Sequence, residues 1–186
     1  MSTRVLLIGL LVVAGSARAT SLRRAALRDL VRRAERVLCA ECTWVRVRPD
    51  PRTGLLFTHV TLNLLEDLKG RSGAAPVELR LVGGRLGDRA TVVPGMPRFA
   101  AGTEYVLFLG PRNGEGYPTI VQLRRGVLRL RRDARGRRFV EGARRGAATS
   151  LDALRAFVAA EVRRQREEER RRRPPPGPAK PGEGGR

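Results

Sequence analysis

Two cysteines, Cys39 and Cys42, bracket a two-residue gap in "VLCAECTWV". This spacing serves thiol–disulfide exchange when it opens a helix after a strand, because helical residues i and i+3 lie only about 5 Å apart. It serves zinc when other ligands converge on it, since a tetrahedral site needs three or four. The chain has no further cysteine and a single histidine, His59, so a zinc site would have to recruit carboxylates. No metal and no cofactor is expected. His59, between Thr58 and Val60 in a strand-like run, reads as a partly exposed sheet residue. It would also have to be the base of any serine hydrolase, yet the chain contains no Gly-x-Ser-x-Gly elbow. "GGRLGDRA" lacks the Gly-Lys-Ser/Thr end of a phosphate loop and reads as a loop whose glycines make turns.

Paired carboxylates are the remaining catalytic option, because a glycosidase needs only two acids in a cleft. Glu66-Asp67, at a strand end beside Lys69, reads as solvated turn chemistry, and the other acids as partners for arginine. No catalytic residue is assigned, and a carboxylate-based hydrolase is kept as an alternative. One segment stands out for recognition. In Pro94-Gly95-Met96-Pro97-Arg98-Phe99 two prolines stiffen the chain, Phe99 can anchor it in the core, and Arg98 is then displayed. The architectural reading, with Phe99 closing one end of the fold, is preferred over it.

The elements that must position these residues follow from periodicity. "SLRRAALRDLVRRAER", from Ser21, carries apolar residues at helical spacing with arginines opposite. After Arg36 the pattern changes to short β-type runs: "VLCAECTWVRV", "LLFTHVTLNLLEDL", "PVELRLV", "TEYVLFLG", "YPTIVQL", "GVLRLRR" and "RRFVEG". The last two are joined by "DARG", where Gly136 suits a hairpin turn, and "GGRLGDRATVVPGMPRFAAG" is read as one loop. "TSLDALRAFVAAEVRRQREEERRRR" is a second helix, with Thr149 as N-cap and Asp152 three residues on. Its apolar stripe ends at Val162, so it is expected to leave the body near Arg163. The fold expected is mainly β, a small OB-like β-barrel with an N-terminal and a C-terminal helix. A run of extended chain separates Cys39 and Cys42 by about 10 Å and points them to opposite faces. A disulfide tolerates no more than ~7 Å, so only a bulge could join them. Cys42 is read as a core residue and Cys39 as facing the other side of the sheet.

The ends of the chain carry their own signals. "MSTRVLLIGLLVVAGSARAT" has a basic start at Arg4, an apolar run from Val5 to Ala14, and small residues at Ala17 and Ala19. This predicts a signal peptide over 1–19 with cleavage after Ala19. The apolar run is well short of the ~20 residues a membrane span needs. The expected product is secreted or periplasmic, without a stable membrane span; an uncleaved anchor is the alternative. Residues 20–149 form the helix plus β-barrel domain, 150–172 an amphipathic then charged helix, and 173–186, "RPPPGPAKPGEGGR", a disordered Pro/Gly-rich tail.

The 186 residues hold 38 basic and 18 acidic side chains, a formal charge of +20. Such charge suits a polyanionic ligand, an anionic membrane surface or nucleic acid. Nearly all the basic residues are Arg, only Lys69 and Lys180 being lysine, a skew that coding bias also produces. Nucleic acid is disfavoured because single-strand binders need aromatic stacking platforms, and one Trp, two Tyr and five Phe supply few.

Several segments taken in order, "LVRRAERVLCAECTWV", "FTHVTLNLLEDLKG", "VELRLVGG", "VPGMPRFAAGTEYVLFL" and "GVLRLRRDARG", resemble a family of exported bacterial proteins with a signal peptide and a small β domain. More distantly, Leu68-Lys69-Gly70 followed by Gly102, Tyr105 and Leu107 is similar to the netrin-like OB barrel of tissue inhibitors of metalloproteinases. That resemblance implies protease inhibition through an N-terminal cysteine. Here Thr20 would open the mature chain and a helix precedes the first strand, so the inhibitory wedge does not carry over. The expected function is an exported, non-enzymatic binding or accessory protein for an unknown protein or polyanionic ligand.

Overall fold

The structure is a computed structural model that describes residues 25–71, 73, 76–141 and 150–172. The segment 1–19 read as a signal peptide, with Ala17 and Ala19, lies outside the described residues, as do Thr149 and the residues from 173. Helix α1 (25–33) leads into β1 (Arg36–Pro49), β2 (Leu56–Lys69), β3 (Val77–Val82), β4 (Gly84–Leu86) and β5 (Arg89–Thr91). Then come β6 (Thr103–Arg112), β7 (Pro118–Ile120), a 3₁₀ turn (Leu123–Gly126), β8 (Val127–Arg132), β9 (Arg138–Val140) and α2 (Leu151–Arg172).

Seven strands form one antiparallel sheet in the order β3-β2-β1-β6-β8-β9, with β7 also on β6. The mainly β fold with a helix near each end is as expected. Closure into a barrel is not shown: among the described residues no ladder joins β3 to β9. The sheet nevertheless curls. Arg80 of β3 is bonded to Glu115 in the β6–β7 connection, although β2 and β1 lie between β3 and β6 in the ladder order.

Strand alternation sorts the core into two layers. On the inner side Leu38, Ala40 and Cys42 pack with Val60, Leu62, Leu79, Leu107 and Leu109. On the outer side Val37 and Cys39 pack with Val106 and Phe108 beneath Leu30 and Val31 of α1 and Leu154 and Val158 of α2. A strand apolar on both faces reads as a continuous hydrophobic run, which is why "RVLCA" shows no polar alternation.

Two features of the connections were not expected. The Gly-rich loop contains the β4–β5 hairpin, and "YPTIVQL" supplies only the three-residue β7 before left-handed Gln122 and Leu123 open the 3₁₀ turn. Gly84 lets β4 cross the long β1–β2 hairpin closely. A Cβ there would lie 2.7 Å from Cγ1 of Val47, and its φ of +144° disfavours any other residue. Gly136, at φ +76°, makes the β8–β9 turn as its sequence predicts.

Helix α2 also departs from expectation. The Ser150 hydroxyl accepts a bond from the Ala153 N–H, which makes Ser150 the N-cap. The helix runs to Arg172, matching the 150–172 span read from sequence, but it does not leave the body near Arg163, because its charged half is bonded to α1. Buried Glu161 pairs with Arg164 and with Arg28 of α1, and Glu168 pairs with Arg32. At the far end of β2, Lys69 donates from Nζ to the Val31 carbonyl, 2.7 Å away, at the C-terminal turn of α1, where a cation also offsets the helix dipole.

Candidate functional site

Cys39 and Cys42 lie in β1 as extended chain, both buried and both free. They belong to opposite layers of the core, even though the β1–β2 register shifts between Cys39 and Ala40. Burial pushes the Cys39 thiol from its ordinary 9.0 up to about 11, and burial raises Cys42 as well. Both are therefore poor nucleophiles and poor ligands at neutral pH. Among the described residues no cluster of three or more His, Cys, Asp or Glu could hold a metal ion.

The carboxylates are engaged by arginine. Glu66 is not solvated turn chemistry: it takes a forked pair of bonds from Arg155 of α2, at 2.7 to 2.9 Å, and so fastens the helix to the sheet. Glu104 faces Glu41 across the β1–β6 ladder, a like-charge pairing that Arg132 and Arg138 beside Glu104 offset. A groove of about 480 Å³ between α1, Lys69 and α2 is lined by charges of both signs, several already paired with one another.

The 94–99 segment divides by side chain. Pro97 is buried, Met96 and Phe99 pack partly against the inner core, and Phe99 meets Tyr105 edge-on at 5.0 Å between ring centres. The Tyr105 hydroxyl accepts from the Ala100 N–H, 3.0 Å away. Pro94 and Arg98 are exposed. Phe99 thus packs as the expected anchor, Met96 and Pro97 pack beside it, and Arg98 is exposed.

A different surface brings more chemistry together. After the register shift between Cys42 and Trp44, β1 changes from an apolar strand to an alternating one. Trp44, Arg46 and Arg48 point outward while Val45 packs inward. The ladder sets Trp44 opposite Thr61, Arg46 opposite His59, and Arg48 opposite Phe57; β3 adds Arg80 opposite His59. Trp44 is 42% exposed, with the Arg48 guanidinium 6.0 Å from its ring centre. Arg80 is held flat against Phe57, 3.7 Å from the ring centre, between Asp50 and Glu115. His59 meets Tyr117 edge-on, and burial together with Arg80 and Arg48 lowers its pKa, so the imidazole is neutral near pH 7. The face therefore sets an aromatic floor beside two projecting cations, Arg46 and Arg48, with exposed Glu78 opposite Thr61 and half-exposed Glu115 at its β3 side.

The edge of this face is open. β1 is paired on both sides only over Val37–Cys42, and on the β6 side the last backbone bond runs from Gly102 N to Cys42 O. Beyond it, among the described residues, only β2 pairs with β1. The phase of the ladder follows from Leu56, which directs its N–H to Thr91 Oγ1 and its carbonyl to Gly83 N, both away from β1. Its partner Pro49 must likewise face away from β2, and by alternation so must Val47 and Val45. Pro49 sits where a missing N–H disrupts no ladder bond.

Sequence reasoning singled out the 94–99 loop and missed this face. The available signal was the change in "CTWVRVRP" from a doubly apolar run to strict alternation ending in proline. No protein-family model matches the chain, and no curated protein or solved structure matches it significantly.

Proposed function

We propose that the protein is an exported, non-enzymatic binding or accessory module that receives an anionic macromolecule on the outward face of β1 and β2. The observation that carries this reading is the exposed set Trp44, Arg46 and Arg48 above His59 and Phe57. Arginine beside exposed tryptophan is the composition of interface anchors, because both combine a wide contact surface with directional polar groups. The overall charge of +20 favours encounter with a negative partner. Against catalysis stand the thiols, buried in separate layers, and Glu66 and Glu104, each held by arginine. Protease inhibition by an N-terminal cysteine finds no support, since Cys39 is buried within a strand behind α1.

The test is retention on immobilised heparin across a salt gradient, comparing the full chain with Arg46→Glu/Arg48→Glu. Two phosphate-like contacts contribute a salt slope of roughly two in log–log form. The double variant should elute at clearly lower salt while keeping its circular dichroism spectrum. Identical elution of the two proteins would remove this face from the reading.

A further inference from the structure

We infer that the open side of β1 over Thr43–Pro49 is a strand-addition site for an extended acidic segment of a partner protein, a conclusion that rests on the anionic-partner reading above. Strand addition needs three things: free main-chain donors and acceptors on one edge, room beside that edge, and side chains that select the incoming strand. Val45 and Val47 supply the first, because the ladder phase turns their N–H and C=O groups away from β2. For the second, no strand among the described residues pairs with β1 on that side beyond Cys42, and β4 crosses at Val47 on the inner face. Trp44, Arg46 and Arg48, projecting on one face at every second residue, supply the third.

The chemistry of the occupant follows from the alternation. A residue set opposite Arg46 or Arg48, between the bonded positions, falls on the outward face and meets a guanidinium, so it should be Glu or Asp. Residues beside Val45 and Val47 turn inward and should be apolar. A second copy of this chain fits less well, because two such edges would gather four arginines on one face of the seam, two from each copy. Charged residues and proline on an edge strand normally prevent such self-pairing. Arg46, Arg48 and Pro49 meet that need and still leave the edge open to a strand of opposite charge.

The probe is a fluorescent peptide of alternating Glu and Val long enough to span Thr43–Pro49, together with the same peptide N-methylated at alternate positions on its bonding edge. Both carry the same charge, but only the first can complete the ladder. Anisotropy titration of the full chain should show the methylated peptide binding more weakly by about tenfold or more. Hydrogen exchange should show the Val45 and Val47 amides slowed by the unmethylated peptide, with the Arg46 amide, already bonded to β2, little changed. Equal binding of the two peptides, competed by heparin, would overturn strand addition while leaving the anionic face in place. Unchanged peptide binding by Arg46→Glu/Arg48→Glu would overturn both. A peptide-free dimer in sedimentation that protects Val45 and Val47 would instead assign the edge to a second copy and overturn the acidic-segment proposal.

Discussion

At the level of single residues, Cys39 shows how position overrides motif. Its thiol is enclosed between the sheet and the helices, and that enclosure sets its acidity. The unfolded thiol ionises near 9.0 and the folded one near about 11. Between those values the unfolded chain has lost a proton that the folded chain keeps, so stability is intact below the window and falls as pH rises through it. Cys39→Ala removes this dependence. Its urea midpoint should be lower than wild type at neutral pH because of the cavity, and the gap should narrow between pH 9 and 11. A constant gap would show that the thiol is not shielded. That Cys39 and Cys42 face opposite ways was legible from sequence, because alternation along an extended strand depends on nothing remote. That Glu66 is held by Arg155 was not, since 89 residues separate them and only the docking of α2 brings them together.

Among the elements, α2 is held by two different kinds of contact, an apolar stripe and the buried carboxylate of Glu161 with Arg28 and Arg164 around it. The arrangement is asymmetric. Glu161 is 4% exposed, whereas the arginines keep roughly two-fifths of their side chains in water. Removing the arginines strands a charge in the interior, at a cost of roughly 2–4 kcal/mol; replacing the acid by Leu leaves the arginines to water and should cost less than about 1 kcal/mol or stabilise. Urea midpoints of Arg28→Ala/Arg164→Ala and of Glu161→Leu should differ in that order. The helix and its extent to about residue 172 were evident in the sequence, but the docking of its charged half beyond Val162 was not, because a face of pure charge reads as solvated until the opposite charges on α1 are seen. The β4–β5 hairpin was hidden for a related reason. "GRLGDRAT" has no apolar alternation of its own, and its place is set by the close approach of Gly84 to Val47. The open edge of β1 lay further from reach, since it depends on where β6 stops.

For the molecule as a whole, Arg80 does what a closing ladder would otherwise do. It ties β3 to Asp50 at the tip of the long hairpin and to Glu115 beyond β6. Arg80→Met keeps the contact with Phe57 and removes both ion pairs, so it should lower stability by roughly 1–3 kcal/mol, discounted because Glu115 is half exposed. Hydrogen exchange should quicken in β3 and the β6–β7 turn while α1 and α2 stay protected; uniform loss of protection would show that the sheet has no separable closure. The two thiols carry a consequence for the lifetime of the protein. Native β1 sends them into opposite layers of the core, but an opened chain brings them together freely, and the resulting disulfide conflicts with that arrangement when the strand reforms. In an oxidising medium each opening is therefore a chance of permanent loss, and the rate of opening becomes a clock that sets how long a molecule survives.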